Sequence, residues 1–242
     1  RIDTIEFVIG QRQIIFFDGF ENELTNWILD GDWGLTSDAA AGEFALTDSP
    51  DGDYEEGQET LAELNRSINL NYILSPIVEF TTKWDIESNW DFVRFQAYVQ
   101  DQGWVSLSGA YTELGSGQPA QPYGEPGYDG LQSDWVNEII LLDQLNGATI
   151  TGFRFIQTSD NFTEGDGFIV DDFSISGFPT GLMGDYNLDA SVDIYDLLGI
   201  VDILIFDSEP SESQLFFCDF DGSGDLDVMD LVALSNLILG IR

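Results

Sequence analysis

The chain has 242 residues, with 45 Asp and Glu against 7 Lys and Arg, a formal net charge of −38 and no histidine. That balance excludes imidazole-based catalysis and His-ligated zinc, and its repulsion of phosphate backbones excludes nucleic acid as a partner. A hydrophobic share of 43%, with 13% aromatics, supplies enough core to exclude a disordered chain.

Taken in chain order, residues 1–12 read as an N-terminal arm. Ile5, Phe7 and Ile9 share one face of a strand pattern and are candidate partner contacts, in the arm's own sheet or on the edge of a neighbouring copy. Because the chain starts at Arg1 without a signal-peptide pattern, a processed form or a fragment is expected. Residues 13–178 read as strands, with apolar or alternating runs at 13–17, 43–47, 76–84, 92–99, 135–142, 149–157 and 167–176. In FVRFQAYV at 92–99, Val93, Phe95, Ala97 and Val99 take one face and Arg94, Gln96 and Tyr98 the other. Turn clusters at 48–54 and 115–130 punctuate the runs. Roughly ten strands without a helix predict a jelly-roll β-sandwich. Residues 179–183 read as a linker. Over 184–242 the spacing turns helical, in Leu197, Leu198, Val201 and Leu204 and again in Leu231, Leu234, Leu237 and Ile238. A unit of about 60 residues has too small a core and needs a staple. Cys218 is the single cysteine, so an intrachain disulfide cannot supply it. No apolar run of about 18 residues reads as a membrane span, so no membrane insertion is expected. Asn65 and Asn161 stand in sequons and are candidate glycosylation sites.

The staple is legible as a repeat. DYNLDASVDIYD at 185–196 aligns with DFDGSGDLDVMD at 219–230. Asp185, Asn187, Asp189, Ser191, Asp193 and Asp196 take positions one, three, five, seven, nine and twelve. Asp219, Asp221, Ser223, Asp225, Asp227 and Asp230 repeat them. Alternate side chains point inward, position seven offers a carbonyl, and position twelve closes from the following helix, which suits calcium better than magnesium. Position six, where the turn favours glycine, is Ala190 in the first loop and Gly224 in the second. The first loop is therefore expected to bind more weakly.

GDYNLDASVDIYDLLGIVDIL and CDFDGSGDLDVMDLVALSNLILG resemble the two halves of a dockerin domain. The resemblance implies a small helical, EF-hand-type fold around two calcium ions and a cohesin-like partner on an extracellular scaffold or surface. It places partner contacts at Ile194 and Tyr195 and at Val228 and Met229, apolar here where many cellulosomal dockerins carry hydroxyls. FFDGFEN at 16–22, Trp27, ALTDSPDGDY at 45–54 and GDGFIVDDFSISG at 165–177 are similar to jelly-roll accessory domains of secreted metallopeptidases of the immune inhibitor A and carboxypeptidase kinds. Related jelly rolls include MAM-like, cleaved-adhesin and carbohydrate-binding modules. This second resemblance implies a structural calcium between the first and last strands.

Asp18 and Glu21 end an early strand and Asp171 and Asp172 begin a late one. If these strands are neighbours, the carboxylates repel, and a third calcium would resolve the conflict, with Asp48 and Asp53 completing the site. Trp33, Trp84, Trp90, Trp104 and Trp135 are the candidates for a sugar platform. No acid–base pair stands out among so many carboxylates, so no enzyme activity is expected. The leading expectation is a non-catalytic extracellular calcium-binding structural or adhesive module that self-assembles head to tail into a surface fibre or matrix. The alternative is a substrate- or carbohydrate-targeting module of a secreted hydrolase, anchored through dockerin–cohesin binding, with glycans as further partners.

Overall fold

The computed structural model describes residues 11–145 and 149–241. They fall into two compact units, one of Arg12–Asn71 with Ser75–Gly177, the other of Tyr72–Leu74 with the described residues from Phe178 onward. The strands are β1 (Gln13–Asp18), β2 (Glu21–Leu24), β3 (Trp27–Asp30), β4 (Gly34–Thr36), β5 (Ala45–Thr47), β6 (Glu59–Leu64), β7 (Ile73–Ile86) and β8 (Phe92–Val99). They continue with β9 (Gly103–Ser106), β10 (Glu113–Leu114), β11 (Pro126–Gly127), β12 (Gly130–Leu141), β13 (Ile150–Thr158) and β14 (Gly167–Pro179). Helices α1 (Ile194–Phe206), α2 (Glu212–Cys218) and α3 (Val228–Leu239) follow.

The strands form a β-sandwich. One sheet runs β12-β7-β14-β5-β4 with β1 also on β14, the other runs β3-β6-β13-β8-β9, and β10-β11 make a separate ribbon. The alternation of β8 holds. Val93, Phe95, Ala97 and Val99 are fully buried, and Phe95 meets Phe155 of β13 at 4.8 Å and Phe80 of β7 at 5.8 Å between ring centres. Phe153, Phe168 and Phe173 join them in one aromatic core, where each buried ring stabilises by about 2–3 kcal/mol. The predicted runs at 13–17 and 149–157 fall within about one residue of β1 and β13. β6 escapes the pattern because ETLAEL buries Thr60, Ala62 and Leu64 with residues of helix-forming composition.

The helical unit has a far smaller core, in which Ile200, Phe217, Cys218, Leu226 and Leu234 are buried. Tyr72 belongs to this unit because its ring lies against Phe216 and Phe217, at 5.4 and 5.7 Å. The predicted linker at 179–183 is not all loop, since β14 extends to Pro179, a residue tolerated at a strand end where no N–H is needed. No helix among the described residues is long and apolar enough to cross a membrane. The arm contacts Ile5, Phe7 and Ile9 lie outside the described residues.

Candidate functional site

The two twelve-residue loops are cast in nearly the same mould. Asp185 at position one is buried and accepts from the backbone N–H of Asp189 at 3.1 Å and of Ala190 at 2.9 Å. Asp219 accepts from Ser223 at 3.1 Å and Gly224 at 2.9 Å, the same two positions, and from Gly222 at 2.7 Å. At position three, Asn187 accepts from Asp189 N–H and Asp221 from Ser223 N–H, each at 2.9 Å. Asp189 in turn accepts from Ser191 N–H, and the Ser223 hydroxyl donates to the Asp225 carbonyl. Each loop runs directly into its helix. Asp193 and Asp227 at position nine are the N-caps of α1 and α3, and Asp196 and Asp230 at position twelve return bonds to their N–H groups at 2.8 and 2.9 Å. Both position-twelve carboxylates have no solvent exposure. The carboxylate of the closing position is therefore also the third residue of a capping box.

The donor chemistry fits a hard cation. In loop two, oxygens of Asp219, Asp221 and Asp230 lie within 4.8 Å of one another. Burial and the nearby Asp230 push the Asp219 carboxyl up, against backbone N–H bonds that lower it. Hydrogen bonds from Ser223 hold the exposed Asp221 below its ordinary value. Loop one has neutral Asn187 where loop two has Asp221. Ala190 takes the left-handed φ of 68° that Gly224 takes at 88°. We expect Ala190→Gly to relieve about 1 kcal/mol of backbone strain and to raise calcium affinity in loop one, measurable by calorimetric titration. Unchanged affinity would show that the turn is unstrained. Cys218, buried near Asp196, Asp185 and Asp230, has its thiol pushed up to about 12, chiefly by burial. Ile194, Tyr195, Val228 and Met229 are all more than half exposed at the starts of α1 and α3.

The carboxylates expected around a third calcium do not all meet. β1 does pair with β14, placing Asp18 opposite Phe173. The Asp18 carboxylate, however, is spent on Phe20 N–H at 2.8 Å and on Asn26 Nδ2 and Trp27 Nε1, each at 3.0 Å. Glu21 and Asp171 instead clasp one loop, Glu21 accepting from Glu43 and Phe44 N–H and Asp171 from Ala40 and Ala41 N–H. Asp172, pushed up by burial and then by Asp171 and Glu21, lies beside them. Asp48 accepts from Phe168 N–H at 2.8 Å. With Ile169 opposite Thr47, Asp48 sits three rungs from Asp171, about 10 Å along the sheet. Asp53 is exposed and lines a separate cavity with Tyr54, Glu55, Glu56 and Glu164. Among the described residues no three of these carboxylates bring their oxygens within 4.8 Å of one another, because local hydrogen bonds and strand spacing hold Asp18, Asp48 and Asp53 elsewhere and turn Glu21 and Asp171 onto the backbone of one loop.

Sequence reasoning missed a further acidic group, Glu87, Asp91 and Asp160, whose oxygens also converge within 4.8 Å. Asp91 is fully buried, accepts from the Tyr54 hydroxyl at 2.7 Å and Asp160 N–H at 2.6 Å, and is pushed up chiefly by desolvation. Its members come from two turns far apart in the chain, and no local spacing announces them.

The outer face of the five-stranded sheet carries a different chemistry. Opposite the buried face of β8, Gln96 pairs in register with Ser106 and Tyr98 with Trp104 of β9, while Arg154 of β13 lies opposite Gln96. Arg154 Nε donates to Gln96 Oε1 at 2.8 Å, Gln96 Nε2 to Ser106 Oγ at 3.0 Å, and Ser106 Oγ to Glu125 Oε2 at 2.7 Å. Arg94 Nη1 closes the row on the same Glu125 oxygen at 3.1 Å. The Arg154 guanidinium lies 4.2 Å from the centre of the Trp104 ring, and Tyr98, 42% exposed, stands edge-on to that ring at 5.3 Å. Of the predicted platform, Trp33 and Trp84 are instead buried in the core, their indoles donating to Thr60 Oγ1 and the Asp129 carbonyl. Trp90 is exposed on a turn, and Trp135 lies under Lys83. Both sequon residues, Asn65 and Asn161, are exposed.

No protein-family profile and no curated protein matches the chain. Solved structures share its sandwich at low identity. The CBM22-1 xylan-binding domain from Paenibacillus barcinonensis is 13% identical, with 71% of this chain and 99% of that chain covered at a TM-score of 0.43. The K3 cleaved adhesin domain of Lys-gingipain from Porphyromonas gingivalis is 11% identical, with 69% and 99% covered at 0.41. A family 22 carbohydrate-binding module from Clostridium thermocellum is 12% identical, with 70% and 97% covered at 0.40.

Proposed function

We propose that this chain is a non-catalytic extracellular targeting module. Its sandwich holds a glycan against the outer face of the five-stranded sheet. Its helical unit, built on two calcium-loaded loops of the dockerin kind, docks onto a cohesin-like partner through Ile194, Tyr195, Val228 and Met229. The observation that carries the glycan assignment is the row from Trp104 through Arg154, Gln96 and Ser106 to Glu125 and Arg94. A few fixed polar groups beside aromatic rings are what orients a hydroxyl-rich ligand. Gln96 and Arg94 are 4% and 8% exposed and brace the row from beneath, so the groups open to a ligand are Tyr98, 42% exposed, and the Glu125 side chain, 45% exposed.

Calcium is supported by charge. From Phe178 to Ile241 the sequence holds thirteen carboxylates and no Lys or Arg. Asp185, Asn187, Asp189 and Asp196 in one loop, and Asp219, Asp221, Ser223 and Asp230 in the other, would hold the ions, with carbonyls at Ser191 and Asp225. The fibre reading rests on Ile5, Phe7 and Ile9 of the N-terminal arm, outside the described residues, whereas the polar and aromatic row on the sheet face supports the accessory-module reading.

Native electrophoresis of the calcium-loaded chain through gels containing neutral and acidic polysaccharides tests the glycan assignment. The chain should be retarded by at least one of them, and Tyr98→Ala should weaken that retention about tenfold while leaving the melting temperature unchanged. A chain that runs freely through every gel is no glycan-targeting module. Capture by a cohesin, lost on chelation, tests the anchor.

A further inference from the structure

We propose that Glu87, Asp91 and Asp160 hold a calcium ion at one end of the sandwich. The proposal is independent of the glycan and anchor readings above. Local backbone geometry begins the site. Trp90 and Asp91 both donate N–H to the Glu87 carbonyl, at 3.3 and 3.1 Å, so the segment between β7 and β8 makes one tight helical turn. That turn sets the side chains of Glu87 and Asp91, four residues apart, on the same side. Asp160 arrives from the loop between β13 and β14 and donates its N–H to Asp91 Oδ1 at 2.6 Å. One carboxylate oxygen from each of the three lies within 4.8 Å of the others. Two oxygens facing each other across a calcium ion stand about 4.6–5.2 Å apart, and across a magnesium ion about 4.0–4.2 Å. The three oxygens therefore fit one coordination sphere of the larger ion.

A missing partner separates this group from an ordinary acidic cluster. Asp91 has no solvent exposure, and Asp160 and Glu87 both act on it as like charges. Its own oxygens are answered by Asp160 N–H and the Tyr54 hydroxyl. Glu87 Oε2 is not. It is withdrawn from solvent and has no hydrogen-bond partner among the described residues. A carboxylate oxygen kept from water needs a donor, a proton or a cation, and only a cation also relieves the repulsion between all three groups. The Thr163 carbonyl, 3.4 Å from the Tyr54 hydroxyl, adds a neutral oxygen beside them. Tyr54 also lines a cavity with Asp53, Glu55, Glu56 and Glu164, which gives a cation an acidic approach. Bound there, the ion ties together two segments 69 residues apart in the chain. The sheets have their own aromatic core and fold without it.

Terbium occupies calcium sites and emits when excited through a nearby tryptophan. It reads this group apart from the two loops of the helical unit, because residues 178–241 hold no tryptophan. Trp90 stands between Glu87 and Asp91 on the turn and is 42% exposed. Titration of the full chain should give tryptophan-sensitised emission that excess calcium displaces, and Trp90→Phe should remove most of it. Glu87→Gln keeps the shape and removes the charge, and should weaken terbium binding here at least about tenfold. Melting of the sandwich, followed by tryptophan fluorescence in calcium and in chelator, gives a second readout. Calcium should raise the melting temperature of the unaltered chain. In chelator, Glu87→Gln should melt no lower than the unaltered chain because a like charge is gone, and calcium should no longer raise it. Emission that is absent or survives Trp90→Phe overturns the site. So does a calcium response that Glu87→Gln and Asp160→Asn both leave intact.

Discussion

Chelation of calcium should melt the helices of the full chain and leave its sheets in place. Among the described residues, the buried cluster of the helical unit is five side chains, set against thirteen carboxylates that no Lys or Arg offsets between Phe178 and Ile241. Without a cation, Asp185, Asp196, Asp219 and Asp230 remain largely withdrawn from water and near like charges, which raises the free energy of the folded state. The same carboxylates cap α1 and α3, so loop and helix should be lost together. The sandwich has its own aromatic core and does not share that dependence. Far-ultraviolet circular dichroism reads the helices. All six tryptophans lie between residues 27 and 135, so their fluorescence reads the sandwich alone. Helical signal that persists in excess chelator would contradict the calcium assignment. Asp230→Ala, which deletes the closing ligand and two hydrogen bonds at once, should cost loop two at least about tenfold in affinity.

Asp48→Asn should stabilise the sandwich at pH 8 and do little in its favour at pH 4. Asp48 is 2% exposed, its Oδ1 accepts from Phe168 N–H, and its Oδ2 has no hydrogen-bond partner. Burial, with Asp166 adding a smaller push, raises its carboxyl from 3.8 to about 7. The sign follows from proton linkage. A folded-state value above the unfolded one means that the contribution to stability is fully present below about pH 4 and is lost as pH rises through about 7. By pH 8 the charged carboxylate costs roughly 4 kcal/mol. The amide removes that charge but buries an N–H₂ group without an assured acceptor, so the net gain should be about 2 kcal/mol. Urea unfolding followed by tryptophan fluorescence, at pH 4 and pH 8, measures it. A calcium-dependent loss of stability in the variant would instead make Asp48 a metal ligand.

Much of the fold was legible because it depends on neighbours in the chain. The alternation in β8 set which of its residues enter the core, and the two twelve-residue repeats marked both loops and the starts of α1 and α3. Even the left-handed turn at Ala190 was visible as the place where its counterpart is Gly224. What the sequence could not order were meetings between distant segments. Even at short range, Asp18 looked as available as Glu21, though the turn into β3 brings Asn26 and Trp27 back against it. Trp33 and Trp84 looked as suitable for sugar as Trp104, and only the packing of the two sheets buried the first two. The row on the sheet face joins Arg94 and Gln96 to Trp104, Glu125 and Arg154, contributed by three adjacent strands and a loop. Periodicity assigns each of these residues a face, and it is the strand order β13-β8-β9 that decides which of them touch.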